Sequence, residues 1–213
     1  MDLTLHIDDH WDSPYAFSNF VALREKGLPF EIKEISLPKK EHHAADYRAH
    51  SLTGRIPLLR HGDFWLSESA AINEYIAETF PHPKFPRIYP EDLKERARAR
   101  QLMDWVRSDL MPIRNERSTA TLFHGQKFEP LSPAAQDAAA GLMRVAESVI
   151  SDGRATLFAN WCIADADFSL MLNRLLNAGY QAPAKIARYV EANWKRPSVR
   201  EWVDHKRKEY VPY

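Results

Sequence analysis

Between residues 81 and 92 the sequence reads PHPKFPRIYPED, so four of its fourteen prolines fall within twelve positions. Proline has no N–H for a helix or a sheet ladder, so neither element can run through this stretch. The chain is therefore read as two bodies joined by a linker at 81–92. Upstream, strand-like runs at 3–7 (LTLHI), 30–36 (FEIKEIS), 57–60 (PLLR) and 64–66 (FWL) alternate with helical patterns at 14–27 and 68–79. That order is a βαβ unit followed by a hairpin and a helix. Downstream every periodic stretch is helical, at 93–117, 133–151, 165–178 and 184–193, with Leu102, Trp105, Val106 and Leu110 among the apolar positions at helical spacing. The expected architecture is α/β plus all-α: an α/β domain over 1–80, the linker, and an all-helical domain over 93–213.

Composition excludes several classes. Hydrophobic residues at 45% and aromatics at 11% are too rich for disorder, and 213 residues suffice to bury a core. Lys plus Arg equal Asp plus Glu at 29 each, which removes the strong positive field of a non-specific nucleic-acid binder. No apolar run approaches the roughly 18 residues of a membrane span, and the opening MDLTLHIDDHWD is acidic where a signal peptide is basic. A cytoplasmic protein with no nucleic-acid or membrane partner is expected. The single cysteine, Cys162, excludes an internal disulfide framework and any CxxC motif. His42-His43 has no third ligand in helical register, so no metal site is expected.

Three short stretches carry candidate chemistry. Ser13-Pro14 is a natural helix start, an N-cap serine with proline at the first helical position, and Gly27 closes that helix. Ser13 either only caps or, at the carboxyl edge of a sheet where open α/β folds bind ligands, offers its hydroxyl to an anion. In SES at 67–69 the serine and glutamate either cap the next helix or hold an α-amino acid head group, carboxylate to Ser69 and ammonium to Glu68. Pro57, at the mouth of a strand, gives up a ladder bond. A cis Ile56-Pro57 peptide would turn the Ile56 backbone outward as a docking edge for an extended peptide. In CIADAD at 162–167, Asp165 is read as a structural carboxylate at a helix start and Cys162 as a small buried hydrophobe. The arginines at 96, 98, 100, 107, 114 and 117 read mostly as a solvated helix face.

Taken in order, SPY followed by ALREKGLPFE, then GRIPLL, LSESAAINEYI, the proline-bearing linker and RARARQLMDWVRSDLMPIRNER at 96–117 resemble the glutathione S-transferase family. In detail they are similar to its serine-type members and to the bacterial YfcF-like group. The resemblance implies a thioredoxin-like first domain and a helical second one. It implies that catalytic Ser13 hydrogen-bonds the glutathione sulfur, and that Ile56, beside Pro57, pairs with the cysteinyl backbone. Glu68 and Ser69 would hold the γ-glutamyl end. Lys40, or Lys39 in its place, would reach the glycyl carboxylate, with Arg55 as a second cation. Tyr15, Trp105 and Arg114 would shape the second-substrate pocket.

Glutathione would be the co-substrate, with no further cofactor. An electrophile, hydroperoxide or disulfide would be the second substrate, in a detoxification or oxidative-stress role. A homodimer would be the working unit, Arg98 meeting the partner. The competing reading is a catalytically inactive binding or regulatory module on the same fold. The chain departs from the family at Cys162, where Ser or Thr is usual.

Overall fold

The computed structural model describes residues 2–212 and divides into two compact units. The first runs from the start of the chain to Ile88 and also takes in the segment from Glu201 onward; the second is Tyr89–Arg200. The compact helical unit thus closes at Arg200, and the segment from Glu201 onward packs with the first unit.

The first unit holds β1 (Leu3–Asp8), α1 (Pro14–Glu25), β2 (Glu31–Ile35), a short 3-10 turn at Glu41–His43, α2 (Ala45–His50), β3 (Leu58–His61), β4 (Phe64–Ser67) and α3 (Ser69–Thr79). The strands form one sheet in the order β2-β1-β3-β4. β1 is parallel to β2, with Asp8 opposite Ile35, and antiparallel to β3, with His6 opposite Leu58. β3 and β4 make the hairpin, with Leu58 opposite Ser67. This is the thioredoxin-like arrangement. Every residue of β1 is buried, as a central strand covered on both faces requires. In α1 the eight consecutive residues from Ala16 to Leu23 are buried, including Phe17 and Phe20, whose rings meet Trp202 edge-on. α2 sets Tyr47 against Ile35 and Leu58, with Ile56 and Trp65 packed around them.

The helical unit contains α4 (Leu93–Ser108), α5 (Met111–Glu116), α6 (Thr119–Phe123), α7 (Pro133–Val149), α8 (Ile163–Leu176) and α9 (Ala184–Trp194), and α10 (Pro197–Val203) carries the chain back into the first unit. The continuous helix expected over 93–117 is broken. Leu110 turns left-handed at φ 60°, and Pro112, lacking an N–H and crowding the preceding turn, starts a new helix instead of continuing the old one. α2, α6 and α10 were not anticipated, being 6, 5 and 7 residues long and too short to show a period. Arg117 is corrected as well. It is 4% exposed and donates to the carbonyls of Glu116 and Glu129, so it is not part of a solvated face.

α8 is the spine of this unit, with 11 of its 14 residues buried. Its first turn is organised by Asp165, whose carboxylate accepts the N–H groups of Leu157 at 2.8 Å and Cys162 at 2.9 Å and the hydroxyl of Tyr189 at 3.0 Å. Cys162 itself is buried, and that burial pushes its thiol up, away from the reactive thiolate.

Candidate active site

The registers bring one end of the sheet together. β1 runs out at Asp8, its parallel neighbour β2 at Ile35, the antiparallel β3 begins beside them at Leu58, and β4 ends opposite Leu58 at Ser67. The loops that leave or enter this end carry Ser13, Lys39 and Lys40, Arg55 to Pro57, and Glu68 with Ser69. Strand pairing therefore gathers nearly all the candidate residues of the first unit into one loop cluster. Trp105 and Arg114 belong to the second unit. There the Trp105 Nε1 donates to Asp109 at 3.1 Å, and the Arg114 guanidinium donates to the Arg107 carbonyl at 2.5 Å.

Ser13 is the N-cap of α1. Its backbone is extended, Pro14 follows at the first helical position, and its Oγ accepts the Ala16 N–H at 3.3 Å. A serine hydroxyl has one proton to give, and here the oxygen's acceptor role is the one used by the helix. That leaves the O–H of this half-buried residue available as a donor beside the positive end of a helix of 12 residues. Behind it Asp8, fully buried, receives the N–H of Asp12 at 2.8 Å and of Ser13 at 3.1 Å. Burial, reinforced by the neighbouring Asp12 carboxylate, pushes Asp8 up to about 7. The sequence reading passed over Asp8 because an acid at a strand end looks like turn punctuation; its signal is the apolar run LTLHI directly before it.

The start of α3 is held by a buried polar network. Asn19 Nδ2 donates to the Ser69 carbonyl at 2.9 Å and to Asn73 Oδ1 at 2.6 Å, and Asn73 Nδ2 donates to Ser18 Oγ at 2.9 Å. α1 and α3 are locked in register by these bonds. Two asparagines inside otherwise apolar helical runs were the sequence signal for it, and it was missed. Glu68 sits just before the helix at φ 73° and ψ 112°, a left-handed conformation that a non-glycine residue rarely holds. The first-turn amides of α3, from Ser69 on, have no intrahelical acceptor, so they face outward as donors next to the exposed Glu68 carboxylate.

The Ile56-Pro57 peptide is cis, and β3 starts at the residue after it. The Tyr47 hydroxyl donates to the Arg55 carbonyl at 2.9 Å and so ties α2 to the chain just ahead of Ile56. Lys39, Lys40 and Arg55 are exposed cations on the surrounding loops, Lys40 at φ 56°. Tyr15 lies in the first turn of α1, half-buried. His43, whose Nδ1 is 2.8 Å from an Arg48 nitrogen, lies in the turn before α2.

A family model described as "Glutathione S-transferase, N-terminal domain" matches residues 12–79, and one described as "Glutathione S-transferase, C-terminal domain" matches residues 92–208. A solved glutathione transferase homolog from Burkholderia (strain BGR1), with bound glutathione, is 43% identical with a TM-score of 0.80, covering 96% of this chain and 97% of that one. Among curated relatives, glutathione S-transferase 1 of Dianthus caryophyllus is 37% identical over 95 residues, 45% of this chain and 42% of that protein. A probable maleylacetoacetate isomerase of Vibrio cholerae is 32% identical over 117 residues, 54% of this chain and 53% of that protein. The chain thus spans about half the length of the curated relatives it matches. With its two family domains matched in order over a thioredoxin-like unit and a helical one, the chain belongs to the glutathione S-transferase family.

Proposed function

We propose that the protein is a serine-type glutathione transferase, of the bacterial YfcF-like kind. In this reading it activates the thiol of glutathione for attack on an electrophile, a hydroperoxide or a disulfide. The observation that carries the reading is the loop cluster at one sheet end. The loops at that end carry a serine hydroxyl that caps α1, a strand mouth at Ile56 and a helix start preceded by Glu68, and exposed lysines and an arginine lie on the same loops. Glutathione has a complementary set of groups: a thiol, a backbone, an amino acid head and a second carboxylate. The Burkholderia homolog with bound glutathione supports the assignment.

Each role follows from the chemistry of the group. Ser13 donates to the sulfur. The Ile56 backbone pairs with the cysteinyl residue. Glu68 takes the ammonium and Ser69 the carboxylate of the γ-glutamyl end, and Lys40 or Lys39, with Arg55, meets the glycyl carboxylate. A free thiol titrates near 8.5, so lowering it by about two units needs roughly 2.7 kcal/mol. A charge-assisted hydrogen bond supplies about 1.5–3 kcal/mol and a helix N-terminus about 0.3–1, which is enough without a metal or an organic cofactor. Tyr15, Trp105 and Arg114 are proposed for the second-substrate pocket. Which electrophile enters is a matter for a screen of activated aryl halides, organic hydroperoxides and small disulfides.

The protein is expected to stay on immobilised glutathione and to elute with the free peptide. Flow-through would turn the assignment to a binding or regulatory module that has lost the ligand. A cytoplasmic homodimer is proposed, with Arg98 and the exposed face of α4 toward the partner. Light scattering at micromolar concentration should give about twice 24.6 kDa, and a monomeric mass would overturn that part.

A further inference from the structure

The segment after α10 folds back onto the loop that carries Ser13, and Arg207 is the centre of that contact. Its Nε and one terminal nitrogen donate to the Trp11 carbonyl at 3.2 and 3.1 Å. The guanidinium is anchored in turn to the carbonyls of Trp202 at 2.8 Å, Val203 at 2.9 Å and His205 at 3.0 Å. The His205 ring lies flat on the Trp11 indole, with centroids 3.6 Å apart and planes 13° from parallel. Lys208 bonds Glu34 at 2.7 Å and lies 3.7 Å from Asp9, while Glu34 also accepts the Trp11 indole N–H at 2.9 Å. The Val211 N–H reaches His10 Nε2 at 3.3 Å.

The five residues between β1 and α1 are therefore held from two sides. Asp9, His10 and Trp11 are held by the closing segment, and Asp12 and Ser13 by the Asp8 carboxylate. Trp11 needs this support, for its φ of 55° is one that a bulky residue rarely adopts unless its surroundings impose it. A planar guanidinium giving two N–H groups to one carbonyl, and its remaining donors to three others, fixes that carbonyl in direction as well as in place. A lysine ammonium on the same stem has no such fork.

We propose that Arg207 is a positioning residue for Ser13. By fixing the Trp11 carbonyl it sets the two following peptides against Asp8 and so aims the Ser13 hydroxyl. The inference rests on the reading of Ser13 as the residue that holds the glutathione sulfur. Arg207 acts through the loop, and a displacement of about 1 Å at a reacting group can cost on the order of a hundredfold in rate.

The test is a double-mutant cycle with Ser13→Ala and Arg207→Ala, reading turnover, glutathione affinity and the pKa of the bound thiol. Circular dichroism and the thermal midpoint of each variant show that it is folded. Arg207→Ala should bind glutathione within about threefold of the parent, since Glu68, Ser69 and Ile56 are untouched. Its turnover at neutral pH should drop about fivefold or more, with the bound thiol pKa raised. Arg207→Lys keeps the charge near Asp8 and Asp12 and should fail to restore either quantity. The double variant should be no slower than Ser13→Ala alone, because a residue acting only through Ser13 has nothing left to act on.

Additive losses, full rescue by lysine, or unchanged turnover and thiol pKa in a folded Arg207→Ala would each overturn the proposal while leaving the role of Ser13 intact. An unaltered thiol pKa and rate in Ser13→Ala would overturn both. If Arg207→Ala does not fold, His205→Ala, which removes only the ring stacked on Trp11, takes its place in the cycle. It should show the same non-additivity with a smaller loss, and an additive loss there would again overturn the proposal.

Discussion

Ser13→Ala is expected to leave glutathione binding almost intact while raising the pKa of the bound thiol by one unit or more. In the proposed site the peptide ends are held elsewhere, by Glu68 and Ser69 at the start of α3 and by the exposed cations of the neighbouring loops, so affinity should change little. One pKa unit is about 1.4 kcal/mol of lost thiolate stabilisation, within reach of a single hydrogen bond to a charged sulfur. At neutral pH turnover should fall tenfold or more, and it should recover in part as the pH is raised and the thiol ionises unaided. The helix should survive, since losing a serine cap costs about 1 kcal/mol. Titrating the ultraviolet absorbance of the thiolate in the binary complex of both forms makes the comparison directly. An unchanged thiol pKa together with unchanged turnover would reduce Ser13 to a helix cap. Of the other hydroxyls on α1, Ser18 is buried and accepts a hydrogen bond from Asn73, so Tyr15 would then be the group to examine.

What was legible in the sequence follows from which interactions are local. The four strands and the helices at the two ends of α/β and helical runs lie close to their expected positions because alternation and period are written in adjacent residues. Ser13-Pro14 and Ser67-Glu68-Ser69 were recognisable as helix starts for the same reason, and each does stand at the start of a helix. The break at Leu110 was equally local. Pro112 marks it in the sequence, against an apolar period that runs on through Leu110. Asp8 carries only the faint signal of the apolar run before it, and Arg207 carries none. The first acts on backbone N–H groups rather than on a patterned partner, and the second meets Trp11 across a separation of 196 residues that no periodicity reports. The gathering of Ser13, Ile56 and Glu68 at one sheet end was implied by their family resemblance, and in the structure it is a consequence of strand direction and register.

The largest loss of stability is expected from Asp165→Ala. Its carboxylate is buried and serves three donors, two of them backbone N–H groups that have moved out of water to reach it. Removing it leaves the amides of Leu157 and Cys162 unpaired at the head of α8, the helix against which α4 and α9 pack. At about 1–3 kcal/mol for each orphaned buried group, the variant should lose roughly 3 kcal/mol or more, a large share of the whole stability of a domain. Asp165→Asn keeps one carbonyl acceptor and should fall between the two.

The pH dependence adds an independent readout. Burial raises Asp165 to about 6 against its ordinary 3.8, so between those values the folded state holds a proton that the unfolded state has released. The stability linked to that proton is fully present below pH 4 and is lost as the pH rises towards 6. Asp8, raised to about 7, gives a slope of the same sign across this window, so Asp165→Ala and Asp165→Asn should make the parent's slope shallower and leave the Asp8 share. An unfolding free energy at neutral pH within about 0.5 kcal/mol of the parent, or a slope in the alanine variant as steep as the parent's, would show that α8 is held at its first turn by something other than this carboxylate.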